Sequence, residues 1–164
     1  MFFERQKLGA KWLRWLYFIA TASAVIIMIF SLSNEEDKGF AIGMIVVFLL
    51  FIVGTYVLVF EIPALTRITQ RGIEIKYRPW IWNWKVFSWD DIKSVSIQSI
   101  NPVQDFGGWG YRFTLKGKRG VIMNNEPGVK VELKNGKIFV VTTNRQAELM
   151  RVVSRFLNEE GLDG

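Results

Sequence analysis

No cysteine and no histidine occur among the 164 residues. Disulfides, thiolate metal sites and cysteine nucleophiles are thereby excluded, and the commonest general base and the usual zinc ligands are missing. An enzyme built on this chain would have to use carboxylate, lysine or tyrosine chemistry. The paired carboxylates Asp90 and Asp91 are sequence neighbours, which a strand points to opposite faces. There is no glycine loop with a phosphate-binding lysine, no metal-ligand spacing and no nucleophile elbow. The expectation is a non-catalytic protein with no cofactor and no metal, whose chemistry is that of binding.

Three groups of residues are candidates for binding. The first is the loop Asp105, Phe106, Gly107, Gly108, Trp109, Gly110 and Arg112, where glycines set a tryptophan and an arginine on an unusual backbone; the same loop equally suits a plug, with Trp109 closing one end of a barrel. The second is Lys116, Lys118 and Arg119, with Arg112, clustered around a hairpin and suited to anionic phosphates or to a solvated surface. The third is the ladder Trp80, Trp82 and Trp84, which fits either a core or a membrane interface.

The elements that must carry these groups begin with a run from Phe40 to Ile62 in which Glu61 alone is charged. That length matches the roughly 20 residues an α-helix needs to cross a hydrocarbon core about 30 Å thick. A second uncharged run, Trp15 to Leu32, precedes it, so spans are expected over about residues 13–32 and 40–62. A cleavable signal peptide is the competing reading of the first run, but the run is longer than a signal core and opens on Trp and Tyr. Ala20, Ala22, Ser23 and Ala24 would let the second helix approach closely.

Charge supplies the orientation. The net charge is +6, with Arg5, Lys7, Lys11 and Arg14 before the first run and Arg67, Arg71, Lys76 and Arg78 after the second, whereas Glu35, Glu36 and Asp37 sit between them with Lys38. Such a distribution places both termini in the cytoplasm and the acidic loop outside the plasma membrane. Antiparallel pairing would bring Glu61 level with Lys11 and Arg14, and a contact is expected there unless Glu61 snorkels to water. No recognition motif accompanies the basic excess, so nucleic acid is not an expected partner.

Past Pro63 the apolar period changes from helical to two. Ile73, Ile75 and Tyr77 alternate with polar residues after a turn at Gln70 to Gly72, and a strand follows Pro79 up to about Trp89. Ile92, Val95 and Ile97 suggest another, then an irregular segment from Asn101 to Gly110. Asn135-Gly136 reads as a type I′ hairpin. In that register Lys134 faces Lys137, Leu133 faces Ile138 and Val131 faces Val140, leaving Phe139 and Val141 on the other face. An amphipathic helix capped by Thr143 or Asn144 closes the chain, with Leu149, Val152, Val153, Phe156 and Leu157 on its apolar side. The expected domains are residues 1–62, a terminal segment with the helical hairpin, and residues 63–164.

About seven strands followed by one helix resembles the bacterial membrane-anchored pleckstrin-homology-like (PH-like) proteins, a family without an assigned activity. The resemblance rests on Leu65 to Thr69 before Gly72 and Ile73, on Trp89 to Ile92, and on Asp105 to Arg112. It continues through Gly128, Val129, Asn135, Gly136 and Lys137 to Thr143, Asn144, Arg145, Glu148 and Leu149. It covers residues 64–157 and implies a PH-like β-barrel or sandwich and a membrane-tethered scaffold. The function expected is binding of a protein partner or self-association at the membrane; the alternative is recognition of anionic lipid headgroups.

Overall fold

The computed structural model describes residues 1–33, 36–115, 117–125 and 127–160, with side chains as far as residue 157. The chain divides into two compact units, one of residues 10–62 and one of residues 1–9 together with 63–164.

The first unit is a pair of apolar helices. Helix α1 spans Lys11–Leu32 and α2 spans Lys38–Tyr56, and the latter continues as a π-helical turn over Val57–Glu61. Asp37 caps α2 by accepting a hydrogen bond from the Phe40 backbone N–H at 3.0 Å. Ile62 is extended, as a residue before proline must be, and the helix stops there. Both helices are long and apolar enough to cross a membrane. Their contact differs from the expected stripe of small residues, since Ala20, Ala22 and Ser23 are exposed. It is made by Tyr17, whose hydroxyl donates to the Ile52 carbonyl at 2.6 Å and whose ring lies 5.8 Å from that of Tyr56 and 5.7 Å from that of Phe60. Inside a low-dielectric layer such a hydroxyl needs a partner, and here it has one. Arg14 and Glu61 do meet, at 3.9 Å, with the Arg14 guanidinium also over the Phe60 ring.

The second unit begins where the sequence gives no obvious sign of structure. Phe2, Glu4 and Gln6 are buried and Phe3 and Arg5 exposed, so the terminal residues form a strand, β1 (Phe2–Gln6), and belong with the sheets and not with the helices as expected. It pairs antiparallel with β2 (Ala64–Thr69), which pairs with β3 (Gly72–Tyr77), which pairs with β4 (Ile81–Ser88). A second sheet has the order β5-β8-β9-β7-β6, from β5 (Ile92–Gln98), β6 (Gly110–Phe113), β7 (Arg119–Ile122), β8 (Gly128–Leu133) and β9 (Ile138–Thr142). Only β7 and β9 run parallel within it. The described residues thus form nine strands where about seven were expected. The added strand at the front is β1, and the rest of the difference comes from short strands in the second half.

The sheets face each other. Ile68, Ile73, Ile75, Val121, Val129, Val131 and Val141 are completely or almost completely buried, each such aliphatic side chain contributing on the order of 2 kcal/mol. Phe87 and Phe139 touch across the gap, ring centroids 4.9 Å apart. Helix α4 (Gln146–Glu160) closes the unit, burying Leu149 and Val153 and stacking Phe156 on Trp89 at 5.2 Å. Its first turn is held by Thr143, which accepts from the Arg145 N–H, and by Glu4 of β1.

The hairpin between β8 and β9 departs from the expected register by one residue. Val131 pairs with Phe139 and Val129 with Val141. Positive φ occurs at Gly136 (78°) and not at Asn135, so the turn is not type I′. The Gly136 N–H donates to the Leu133 carbonyl and the Leu133 N–H to the Lys137 carbonyl, a three-residue loop with a glycine bulge. Because the side-chain period is two, one residue of slip exchanges the faces. Phe139 and Val141 therefore join Val129 and Val131 between the sheets, and Val140 turns to the outside of its sheet.

That outside is covered from within the domain. The segment expected to be irregular contains a one-turn helix, α3 (Pro102–Phe106), with Asn101 as N-cap and proline in its first turn. Phe106 joins Ile100, Ile122 and Val140 in a small core of its own, with Trp109 and Ile138 against it. In β5, Ile92 is buried, but Ile97 is 46% exposed, because β5 is an edge strand.

Candidate binding surfaces

The glycine-tryptophan loop is built from α3 outward, and its polar groups are used within it. Asn101 accepts from the N–H groups of Val103 and Gln104, while Asp105 accepts from the Asn101 N–H at 2.7 Å, a reciprocal cap. Gly107 takes the left-handed conformation that ends the helix, with φ 69°. Gly108 and Gly110 have φ of 127° and 92°. Trp109 is half-buried on the small core and its indole N–H donates to Asn125 at 3.2 Å. The Arg112 Nε–H donates back to the Trp109 carbonyl at 2.7 Å. Phe106, with Trp109 against it, thus packs on Ile122 and Val140 of the second sheet, while Asp105 stays exposed.

The basic hairpin is not a single patch. Arg119 lies directly opposite Phe113 in the β6–β7 pair, with its guanidinium 4.6 Å from that ring, and Arg112, the preceding residue of β6, lies on the other face. Lys118 is half-buried beside a groove with Val103, Phe113 and Leu115. Lys116 lies outside the described residues.

The tryptophan ladder is not core. Trp82 and Trp84 point away from the sandwich on β4, with Trp82 64% exposed. Trp80 sits in the turn after the cis Arg78–Pro79 bond, stacked on Tyr77 at 5.3 Å and half exposed. The register sets cations around them. One row across the sheet's outer face runs Phe3, Arg67, Glu74, Val86, and another runs Arg5, Leu65, Lys76. The Arg67 guanidinium lies 3.9 Å above the Trp84 ring, Lys76 is 5.9 Å from the same ring, and Arg78 is 5.6 Å from that of Trp82. Neither the turn position of Trp80 nor the cation stacking could be read from alternation alone.

Glu74 fixes this face. Arg67 donates to its carboxylate from Nε at 2.8 Å and from Nη2 at 2.6 Å, and Thr69 donates at 2.7 Å. Burial pushes the Glu74 carboxyl up, but the hydrogen bonds from Thr69 and Arg67 and the charges of Arg67 and Arg71 together hold it below its ordinary value near 4.5. A folded-state value below the unfolded one stabilises the fold above the unfolded value, and that stability is lost as pH falls through the lower one. The melting temperature should therefore drop between about pH 5 and pH 3, and Glu74→Gln should flatten that part of the profile while lowering the plateau at neutral pH.

Burial pushes the Tyr77 hydroxyl up, partly offset by the Arg112 charge. No group of three or more Asp or Glu side chains among the described residues is placed to hold a metal ion. The first sheet thus exposes an outer face on which tryptophans and cations lie together. No protein-family model, no curated protein and no solved structure matches this chain.

Proposed function

We propose that this chain is a non-catalytic, membrane-anchored binding protein: the α1–α2 hairpin crosses the bilayer, and the strand domain, PH-like in its element order, holds the outer face of β1–β4 against anionic lipid headgroups on the cytoplasmic side. The observation that carries this reading is the convergence of Trp82 and Trp84 with Arg5, Lys76 and Arg78 on the outer face of one sheet, where Arg67, paired with Glu74, stacks on Trp84. Tryptophan is favoured at the headgroup level, and each Lys or Arg near an anionic leaflet contributes about 1 kcal/mol.

The chain path supports it as well. β1 ends at Gln6 and α1 begins at Lys11; the π turn ends at Glu61 and β2 begins at Ala64. Since β1 pairs with β2, the two ends of the hairpin must lie on one side of any membrane it crosses, which an even number of spans satisfies. Two short connections into adjacent strands restrict the domain more than one tether would.

The absence of cysteine makes a direct test simple, because an introduced cysteine is the sole site for a thiol dye. With an environment-sensitive dye at Trp82→Cys in the full chain, emission should shift to the blue in nanodiscs containing phosphatidylglycerol relative to phosphatidylcholine alone, and high salt should reverse the shift. A dye at Ser94→Cys, exposed on β5 of the other sheet, should not respond. Identical emission from position 82 in both discs would count against the lipid face. The exposed Phe113 and Leu115 favour a second reading, docking of a protein partner or a second copy of this chain; photo-crosslinking from Leu115 in native membranes tests it.

A further inference from the structure

At one end of the sandwich, where β4 faces the starts of β7 and β9, a cleft of about 200 Å³ is lined by Lys85, Arg119 and Lys137. Its apolar wall is Phe87 and Phe139, and Lys85 Nζ lies 5.3 Å from each ring centroid. Among the described residues none of the three cations forms an ion pair. The described carboxylate on the wall is Asp91, too far from any of them to pair.

Lys85 is not an ordinary surface lysine. It lies on the opposite face of β4 from Trp82 and Trp84, half-buried, so it plays no part in the lipid-facing surface. Burial, with the positive charges of Arg119 and Lys137, pushes its ammonium below the usual lysine range. Like charges gathered around a partly dry cleft destabilise the empty fold, and a bound anion would relieve both the repulsion and the desolvation.

We propose that this cleft binds a phosphate monoester, its phosphate held by Lys85, Arg119 and Lys137 at the rim above the buried Phe87 and Phe139. Three cations less the Asp91 carboxylate leave a charge near +2, which complements the charge of about −1.5 to −2 that a phosphate monoester carries at neutral pH. The guanidinium fork suits two phosphate oxygens, and the ammonium groups act as point charges on the third. A monoester fits better than a carboxylate or a sulfate ester, which bring one charge each. The ester can be a soluble metabolite or the headgroup of a phosphomonoester lipid.

The probe for both sources is phenyl phosphate, added to the full chain in phosphatidylcholine nanodiscs and followed by calorimetric titration and thermal unfolding. It should bind about tenfold or more tightly than phenyl sulfate at matched ionic strength, and Arg119→Gln and Lys137→Ala should each weaken it about tenfold, the loss of one charge-assisted contact. Lys85→Met should abolish the phosphate-dependent rise in melting temperature while raising the melting temperature of the ligand-free protein, a pair of effects that a purely structural lysine would not give. Nanodiscs containing phosphatidic acid distinguish the sources: competition with phenyl phosphate there points to the lipid, and undiminished binding points to a soluble ester. Phenyl phosphate that stabilises no more than chloride, or binding unchanged in Arg119→Gln and Lys137→Ala, would overturn the proposal.

Discussion

Glu4→Ala is expected to destabilise the strand domain by about 3 kcal/mol, a large part of the 5–15 kcal/mol that holds a typical domain together. The Glu4 carboxylate is buried between the sheets, where it accepts from the Gln6 amide at 2.8 Å, from the Asn144 N–H at 3.0 Å and from the Thr143 hydroxyl. Gln6 in turn accepts from Thr142, whose hydroxyl oxygen also accepts from the Met123 N–H at 2.9 Å. Removing the carboxylate strands three donors at once, including one at the start of α4. Glu4→Gln keeps the shape and one acceptor oxygen, so it should cost about 1 kcal/mol. Thermal unfolding of the full chain, followed by near-ultraviolet circular dichroism, measures both. Equal melting temperatures for Glu4→Ala and the parent would mean that β1 frays in solution and that the domain does not depend on it.

Gly72→Ala should be as damaging, at about 4 kcal/mol, for a reason that is purely backbone. Gly72 has φ 139°, and a Cβ there would stand 1.9 Å from the Phe87 carbonyl oxygen and 2.8 Å from its carbon. No side chain can move to relieve this. The obstacle is the main chain of β4 at the Gly72–Ser88 pair, so the strands would have to part beside Trp89, whose indole N–H donates to the Thr69 carbonyl at 3.1 Å. Gly43→Ala, in α2 with open space around it, serves as the control and should leave domain stability unchanged. Denaturant unfolding monitored by tryptophan fluorescence separates the two variants.

Glu4 and Gly72 also show which parts of this protein can be read from its sequence. The apolar helices were legible because length and the absence of charge are sufficient signals, and the strands with Ile73, Ile75 and Tyr77 because alternation reports a half-buried sheet. β1 was hidden because its inward side chains after Phe2 are Glu4 and Gln6, so polarity alternates against the usual sense; their partners lie at Thr142, Thr143 and Asn144, far along the chain. At Asn135-Gly136 the turn residues allow more than one loop length, and the glycine bulge that distinguishes them is a backbone choice made by the pairing of Val131 with Phe139. In the 101–110 segment the glycine content masks Asn101-Pro102, the cap and first turn that signal α3. Lys85 was unremarkable in sequence, since its character comes from Arg119 and Lys137 brought beside it by other strands.

In the proposed topology the α1–α2 hairpin crosses a bilayer and returns the chain to the side on which β1 and β2 pair. Single cysteines at Asp37, Lys7 and Lys137, introduced into the cysteine-free chain and probed in sealed inside-out membrane vesicles with a membrane-impermeant maleimide, test it most directly. Positions 7 and 137 should react at once, and position 37 only after the vesicles are opened. Equal labelling of position 37 in sealed vesicles, or recovery of the intact chain in the soluble fraction, would contradict it.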